Sequence, residues 1–585
     1  MAHRKVKRPC YTNKKIKTGN WDLVGNNIPV FFIQDPIKFP DLVHCMKEEP
    51  DKGFPQAQTA HDNFWDFVTL MPESMHMLMW AMSDRAIPRS VRFMEGFGVH
   101  TFRLVNAEGK STFVKFHWKP KLGLQSVTWN EAVKINGADP DFHRRDLWQS
   151  ITSGMYPEWE LGFQLFDEDF ANKWEFDILD STKFIPEELI PIRKVGRMVL
   201  DRWVDNNFCE NEQIAFCTQN VVPGIDFTND PLLQGRNFSY LDTQLKRLGS
   251  TNFTDLPINR SHCPVFNYFQ DGHMCLRQMK GRANYFPNSW GEDGGNAGLE
   301  DTSNKLGPRE NYEHGFRSFP ETVSEQKVRG RPETFADHYS QARMFYHSQT
   351  RIEKQHIIDA YTFELTRVKE KRIRERMVAH LLNIDQGLAH AVARGLGITK
   401  LPPAIAPVRP VLDIAPAPSI SIIRNYPGFM TGRKLGVLAT EGASATIINS
   451  FLTLAKPEGL VVEFVTKAVE GVTCSDGTFQ KGNENYESGP SWIFDTVALV
   501  ISAQESKEIS GNALAKDFVS AAFMHNKFIA YTEEAIPLLK AAGVDPNADE
   551  GLMKVTGVKD CTEFMMIGRK KQRYWERGSI CPETA

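Results

Sequence analysis

The chain has 585 residues, a formal net charge of −3, 41% hydrophobic residues and 24% charged residues. This length exceeds what one hydrophobic core usually serves, so we expect several domains. The apolar fraction excludes disorder over the whole length. The chain has 69 Lys and Arg and 72 Asp and Glu. This near balance predicts no general affinity for nucleic acid or for acidic membranes. We interpret residues 1–18, which are atypically basic, as a solvated tail.

The nine cysteines are scattered, and none forms a CxxC pair. This pattern excludes a zinc ribbon and a redox dithiol motif, and the odd number favours a reducing compartment. The sequence contains no apolar run of about 18 residues, so we expect no membrane span. It also begins without the apolar segment of a signal peptide. Together these features predict a cytoplasmic protein.

The region 19–287 is rich in Phe, Val and Trp and contains short strand-like runs. Examples are residues 28–33, 99–105 and 112–118, of which the last two alternate in polarity as half-buried antiparallel strands do. Helical stretches at 72–84 and 210–216 interrupt them. Several such strands in one domain predict a β-barrel or a sandwich.

Residues 288–333 are dense in Gly, Asn, Asp and Arg and show little periodicity. A structureless stretch of this length is uncommon inside a compact domain. It is therefore either a flexible tail or an arm that packs on another subunit. The next segment differs, because 355–365 and 377–384 carry apolar residues at i, i+3, i+4 and i+7 spacing, which predicts helices.

Residues 401–418 form a Pro- and Ala-rich connector, which we expect to be extended and to mark a domain boundary. Beyond it, apolar runs alternate with amphipathic ones. We predict strands at 435–440, 461–465, 496–501 and 528–531, and helices at about 444–455 and at 513–524. Continuous apolar strands separated by helices predict a parallel sheet covered on both faces.

The run from Arg236 to Gln244 reads RNFSYLDTQ and has the chemistry of a haem-iron ligand. Tyrosine is one of the few side chains that ligate haem iron, and a nearby cation must hold its phenol, whose pKa is about 10, as the phenolate. Arg236 precedes Tyr240 by four residues, so on a helix both side chains share one face. A bare RxxxY spacing is more typical of an ordinary amphipathic helix, so the prediction depends on the whole string.

That string resembles the proximal haem-ligand motif of catalases at every fixed position. Residues 19–35, GNWDLVGNNIPVFFIQD, are similar to the distal asparagine segment of the family, and residues 222–235 are similar to the approach to its proximal helix. The connector and the α/β region resemble the large-subunit branch. The resemblance implies an α+β fold with an antiparallel β-barrel haem catalase core, a helical domain and a C-terminal α/β flavodoxin-like domain.

The resemblance also implies a domain division and a reaction. The expected parts are the basic N-terminus (1–18), the barrel core (19–287), a wrapping arm (288–331), the helical domain (332–398), the Pro-rich linker (399–432) and the flavodoxin-like domain (433–585). The implied cofactor is haem, of type b or d, with its iron. The implied reaction is disproportionation of hydrogen peroxide to water and oxygen in defence against oxidative stress, and the implied assembly is a homotetramer.

Within this resemblance each matching residue has a family role. Tyr240 aligns with the iron ligand, and Asn26 aligns with the distal asparagine that hydrogen-bonds peroxide. The other matching positions contact or support the cofactor. Phe31 and Phe39 align with aromatic residues on its distal side, and Arg247 aligns with an arginine that binds a haem propionate. Arg236 aligns with the proximal arginine, and His100 and Asp230 align with the polar pair that holds this arginine. Cys217 stands where some large-subunit enzymes have a histidine bonded to the proximal tyrosine. A thioether link to Tyr240 and an ordinary buried thiol both remain open.

The distal histidine of the family has no matching residue. His3 is the sole histidine before Asn26, and its sequence context differs. We therefore expect an incomplete N-terminus and little catalase activity from residues 1–585. The alternatives are a haem-binding protein without catalysis and a chaperone-like protein acting through the C-terminal domain. That domain has no cysteine at 528–534, where the related amidotransferase-like folds carry a nucleophile.

Overall fold

The computed structural model describes residues 20–55, 61–260, 270–276, 284–285, 318–322 and 330–578, and the single residues 324, 326 and 328. The predicted basic N-terminus and most of the predicted arm at 288–331 lie outside the described residues. Within that arm, the described residues 318–322 pack on this chain's own sheet. The Phe319 N–H donates to the Asp226 carboxylate over 2.6 Å, and the Arg103 guanidinium lies 4.4 Å from the ring of Phe319.

The N-terminal part of the chain combines one antiparallel sheet with helices. The helices are α1 (Phe39–Cys45), α2 (Asp62–Leu70), α3 (Met75–Ala81), α4 (Trp129–Ala138), α5 (Phe142–Thr152), α6 (Glu168–Lys173) and α7 (Pro231–Leu248). The strands are β1 (Gly96–Phe97), β2 (Phe102–Val105), β3 (Ser111–Pro120), β4 (Glu158–Phe166), β5 (Ile192–Val199) and β6 (Ile225–Phe227). The sheet order is β5-β4-β3-β2-β6, with β1 paired to β3. The predicted α+β class is confirmed.

Among the described residues this sheet is open. Its path ends at β5 on one side and at the three-residue β6 on the other, and no pairing joins these two ends. A barrel needs that closure, with strands tilted and staggered around a common axis. The described strands therefore have the predicted antiparallel pairing without the predicted barrel closure.

The hairpin of β2 and β3 confirms the strands predicted at 99–105 and 112–118, although β2 begins only at Phe102. Its turn closes with the Asn106 N–H donating to the Lys110 carbonyl over 3.0 Å, and Gly109 takes the positive φ that the turn requires. The helix predicted at 72–84 contains α3. The one predicted at 210–216 is instead a single π-helical turn, Phe208–Glu212.

The strand predicted at 28–33 is wrong, because these residues form irregular chain. The Phe31 N–H donates to the Ser181 carbonyl over 2.9 Å. The hydroxyls of Ser74 and Ser181 donate to the carbonyl oxygens of Phe32 and Ile33 over 2.7 and 2.8 Å. Since side chains and loops satisfy this backbone, the apolar run is buried without joining a sheet.

A helical layer follows the arm region. It consists of α8 (Ser340–Ser348), α9 (Arg351–Thr366), α10 (Lys371–Ile384) and α11 (Gln386–Gly395), which confirms the helices predicted there. This layer packs on α2 and α3, and together they enclose one large hydrophobic core. The connector at 401–418 is extended, as predicted, and is held along the helices. The N–H groups of Leu412 and Ala417 donate to the hydroxyls of Ser340 and Ser348, each over 2.8 Å.

The C-terminal unit is a parallel sheet between two layers of helices. Its strands are β7 (Lys434–Ala439), β8 (Val461–Thr466), β9 (Val472–Thr473), β10 (Phe479–Gln480), β11 (Glu484–Asn485), β12 (Thr496–Val500), β13 (Ile529–Tyr531) and β14 (Leu552–Lys554). Its helices are α12 (Ala445–Glu458), α13 (Ser506–Gly511), α14 (Ala513–Met524), α15 (Ile536–Ala541) and α16 (Val558–Lys570). Six of these strands form the parallel sheet, in the order β11-β8-β7-β12-β13-β14, whereas β9 and β10 form a separate antiparallel pair.

Two separate cores cover the two faces of this sheet. Along β7, Leu435 and Val437 face the core built with α12 and α16, while Leu438 faces the core built with α13, α14 and α15. The predicted sheet, covered on both faces, is confirmed, and α14 begins and ends as predicted. No described helix combines the length and apolarity needed to cross a bilayer.

Buried charges join the C-terminal unit to the rest of the chain. Glu131 of α4 forms ion pairs with Lys527 and Arg573 of the C-terminal unit, each over 2.7 Å, and all three side chains are almost fully buried. In a second contact the signs are exchanged: Arg89 of the N-terminal part supplies the cation, and it pairs with Asp495 of the C-terminal unit over 2.7 Å. Because an unpaired buried charge is costly, these exchanged pairs fix one relative position of the two units.

We expect Glu131→Gln to lower the free energy of unfolding by about 3 kcal/mol, because it leaves two buried cations without their carboxylate. Burial alone raises the pKa of Glu131, but the charges of Arg573 and Lys527 outweigh it and lower the pKa to about 2. An unfolded glutamate has a pKa of about 4.3, so this stabilisation is present above that pH and is lost as the pH falls toward 2.

Urea unfolding between pH 7 and pH 3 measures this effect. The difference between wild type and Glu131→Gln should shrink as the solution is acidified. The exposed Glu550→Gln serves as the control and should change stability by less than about 0.5 kcal/mol. Equal stability of the two variants at pH 7 would contradict the role of Glu131.

Candidate active site

The candidate site is built on α7, the longest helix of the N-terminal part. Asp230 caps its N-terminus by accepting a hydrogen bond from the Leu233 N–H over 3.0 Å, and Pro231 occupies the first turn. Gly249 ends the helix in the left-handed conformation, with a φ of 76°. Asp230 and Pro231 therefore determine where α7 begins, and Gly249 determines where it ends. Helical geometry then determines where the side chains of α7 lie.

Arg236 and Tyr240 lie one turn apart on α7, as predicted. The Arg236 guanidinium is 3.5 Å from the Tyr240 hydroxyl, and its central carbon is 5.2 Å from the centre of the phenol ring. Both side chains are partly buried. This is the arrangement that the sequence predicts for an iron-binding tyrosine, with a permanent cation beside the phenol oxygen.

His100 and Asp230 form the predicted pair beside the start of α7. His100 Nδ1 lies 2.7 Å from Asp230 Oδ2, and the two side chains are 2% and 1% exposed. Burial lowers the pKa of His100; the Asp230 carboxylate opposes this shift, whereas the nearby charge of Arg236 adds to it. A neutral imidazole facing a carboxylate must carry its proton on Nδ1, so His100 is the donor.

Asn26 is fixed through its backbone. Its N–H donates to the Phe97 carbonyl over 2.9 Å, and the Phe97 N–H donates back over 2.7 Å. The preceding Gly25 permits this pairing, because a Cβ atom there would lie 2.8 Å from the Phe97 oxygen. The predicted distal residue is therefore attached to the β1 edge of the sheet.

The segment that follows Asn26 reaches α7 at Gly235. The short 3₁₀ turn Pro36–Lys38 packs there, and a Cβ atom on Gly235 would lie only 2.2 Å from the Pro36 Cβ. Phe31 precedes this contact and Phe39 follows it, and both are partly exposed. Gly235 is not among the predicted site residues, although a glycine inside a helical pattern is itself a signal of close packing.

Arg247 lies at the end of α7 and is bound by protein groups. Its Nε donates to Gln244 Oε1 over 3.2 Å, and its terminal nitrogens donate to the carbonyl oxygens of Glu212 and Ile214. Cys217 is buried, and its N–H donates to Asp22 Oδ2 over 3.1 Å. The propionate role of Arg247 and a link from Cys217 to Tyr240 stay predictions.

The side chains present fit a haem group. Tyr240 offers one oxygen ligand with a cation beside it, and Phe31 and Phe39 lie on the segment that contacts the same helix. Among the described residues, no group of three or more His, Cys, Asp or Glu could hold a metal ion. A single tyrosine suits iron whose equatorial ligands come from a porphyrin.

Comparison with known proteins gives the family. A family model described as Catalase matches residues 10–292, and one described as Catalase-related immune-responsive matches residues 332–396. Catalase C of Rhizobium meliloti (strain 1021) is 58% identical over 563 residues, which cover 96% of this chain and 78% of that protein. The chain belongs to the catalase family.

Two other catalases match over a similar extent. Catalase-B of Dictyostelium discoideum is 46% identical over 96% of this chain and 80% of its own length. Catalase HPII of Pseudomonas putida is 46% identical over 96% of this chain and 77% of its own length. Because these matches extend through the α/β unit, the resemblance to large-subunit catalases is confirmed.

We expect Gly235→Ala to lower the free energy of unfolding by about 1–3 kcal/mol, because the new methyl group overlaps Pro36 and separates the 3₁₀ turn from α7. Gly137→Ala is the matched control in α4, where a Cβ atom would meet no neighbour within 4 Å. The control should raise stability by about 0.5–1 kcal/mol. Urea titration of both variants makes the comparison, and a Gly235→Ala protein as stable as wild type would show that the close contact is unimportant.

Proposed function

We propose that this chain is a haem catalase that converts two molecules of hydrogen peroxide into two molecules of water and one of oxygen, in defence against oxidative stress. The observation that carries the proposal is the Arg236–Tyr240 pair on α7 in a member of the catalase family. Haem, in its b or d form, supplies the redox chemistry when it is bound. Tyr240 is the proposed iron ligand.

The proximal residues act on the charge of that ligand. Arg236 stabilises the phenolate of Tyr240, and an anionic ligand favours ferric iron. Asp230 and His100 hold the helix on which Arg236 lies. Arg247 is the residue proposed for a haem propionate, and its hydrogen bonds to the carbonyl oxygens of Glu212 and Ile214 would keep its guanidinium at the end of α7.

The distal residues act on the substrate. We infer that the Asn26 amide hydrogen-bonds peroxide, and the double backbone pairing of Asn26 with Phe97 supports this role by fixing the residue. Phe31 and Phe39 would form apolar walls that limit the access of water. The alternatives of a non-catalytic haem protein or a chaperone-like protein are not favoured, because the relatives that match over 96% of the chain are catalases.

Three further properties belong to the same proposal. A flavodoxin-like C-terminal domain is supported by its principal strands β8, β7, β12, β13 and β14, whose order is 2-1-3-4-5 when they are numbered along the chain. A cytoplasmic location is supported by the free thiols of Cys45, Cys209, Cys474 and Cys561. The homotetramer rests on resemblance to the family alone.

We expect Tyr240→Phe to abolish oxygen release from peroxide and to remove the ferric Soret spectrum of a tyrosinate-ligated haem, because phenylalanine has no ligand atom. An oxygen electrode and absorption spectra after reconstitution with hemin measure both effects. Tyr156→Phe is the control on an exposed tyrosine and should match wild type. Because no residue of this chain matches the distal histidine, we expect the wild-type chain itself to release oxygen slowly. A wild-type chain that binds hemin but releases no oxygen would support the haem-binding alternative over the catalase proposal.

We expect Asn26→Ala to reduce the turnover of peroxide by about 100-fold, because one hydrogen-bond donor to the reacting oxygen is lost. Hemin binding should stay unchanged, since the iron ligand is on α7. Steady-state oxygen release and hemin titration separate these effects. The exposed Asn547→Ala is the control. A loss of hemin binding in Asn26→Ala would show that this residue supports the pocket and not the substrate.

A further inference from the structure

A strained turn precedes His100. Val99 has a φ of 66°, which is rare for a residue with a side chain and rarer for a β-branched one. The His100 N–H donates to the Gly98 carbonyl over 2.8 Å, which makes residues 98–100 a three-residue γ-turn. Such conformations persist only when surrounding groups hold them, and they concentrate at functional sites.

A buried lysine holds this turn. The Nζ atom of Lys115 in β3 donates to the Val99 carbonyl over 2.9 Å, and the side chain is 7% exposed. Burial lowers the pKa of Lys115 to about 8, and the charges of Asp230 and Asp180 oppose that shift. Lysine is rarely buried in this way unless its ammonium group has a specific partner.

The turn leads directly to the proximal side of the haem site. His100 follows Val99 and donates to Asp230, and Asp230 accepts the hydrogen bond that starts α7. Thr228 adds a parallel connection, because its hydroxyl donates to the Thr101 carbonyl over 2.7 Å. Strand β3, the γ-turn and the start of α7 are thus joined by consecutive short hydrogen bonds.

We propose that Lys115 is a positioning residue of the proximal site. Its ammonium group holds the Val99 carbonyl, keeps the γ-turn closed and so directs His100 at Asp230, which fixes the helix that bears Arg236 and Tyr240. The inference rests on the proposed haem site and adds to it a residue that touches neither the iron ligand nor the proximal arginine.

The length of α7 explains why a distant contact matters. Tyr240 lies ten residues beyond Asp230, which is roughly 15 Å along the helix axis. A tilt of about 5° at the start would move the phenol oxygen by roughly 1 Å at this distance. An ångström of displacement is enough to weaken a metal bond and to impair a reaction that depends on orientation.

A double-mutant cycle tests the proposal on the hemin-reconstituted protein. The variants are Lys115→Met, Val99→Gly and the double variant, with Lys110→Met as a control at an exposed lysine of the same hairpin. The readouts are the rate of hemin transfer to excess apomyoglobin and the ferric absorption spectrum. Urea unfolding of the same variants without hemin reports on the contact between Lys115 and Val99 alone.

We expect Lys115→Met to lose hemin about tenfold faster than wild type and to alter the ferric spectrum. Glycine adopts positive φ without strain, so Val99→Gly should stay close to wild type. In the Val99→Gly background, Lys115→Met should have a much smaller effect, because the turn no longer needs to be held. Lys115→Arg, which keeps a cation and donors, should retain hemin better than Lys115→Met.

Two results would overturn the proposal. One is hemin loss from Lys115→Met no faster than from Lys110→Met. The other is an equal effect of Lys115→Met in the wild-type and Val99→Gly backgrounds, in hemin transfer and in unfolding, which would make Lys115 a general stabilising residue. A wild-type chain that binds no hemin would overturn the proposed haem site together with this role of Lys115. That outcome is distinguishable from the two results above, because it is observed with the wild-type chain before any substitution is made.

Discussion

The two carboxylate oxygens of Asp230 have different partners, and the candidate site depends on both. One oxygen accepts the Leu233 N–H and starts α7, and the other accepts the proton of His100 and attaches that start to the sheet. The spacing of the helix then places Arg236 and Tyr240 on one face. A capping residue usually determines only where a helix begins. Here the same residue also determines the direction in which the helix leaves the sheet.

The C-terminal unit is connected in a different way. Its hydrophobic cores are its own, and the contact with the N-terminal part includes buried ion pairs: Glu131 pairs with Lys527 and Arg573, and Arg89 pairs with Asp495. Buried charges add little net stability compared with apolar packing, but they tolerate only one arrangement of partners. The connector that joins the two parts is itself hydrogen-bonded to Ser340 and Ser348 of α8.

Local pattern predicted most of the elements, and resemblance to the catalase motif predicted the proximal half of the site. The helix α14 and the hairpin of β2 and β3 followed from periodicity and turn residues, whereas helical spacing alone predicted only that Arg236 and Tyr240 share one face. The apolar run at 28–33 was assigned to a strand because periodicity cannot distinguish a paired strand from buried irregular chain. The turn at Val99 and its contact with Lys115 could not be predicted, since they join residues sixteen apart through one hydrogen bond. Barrel closure likewise depends on pairing between distant segments, which local pattern does not report.

Among the described residues, no strand pairs with the outer edge of β5, and such an edge affects solubility. A strand with unpaired N–H and C=O groups is a template for another chain, and proteins avoid such pairing by placing charged side chains along the edge. β5 carries Arg193, Lys194 and Arg197, all exposed, and only Val195 among its outward residues is a large exposed hydrophobic. Two copies that met at this edge would bring like charges together.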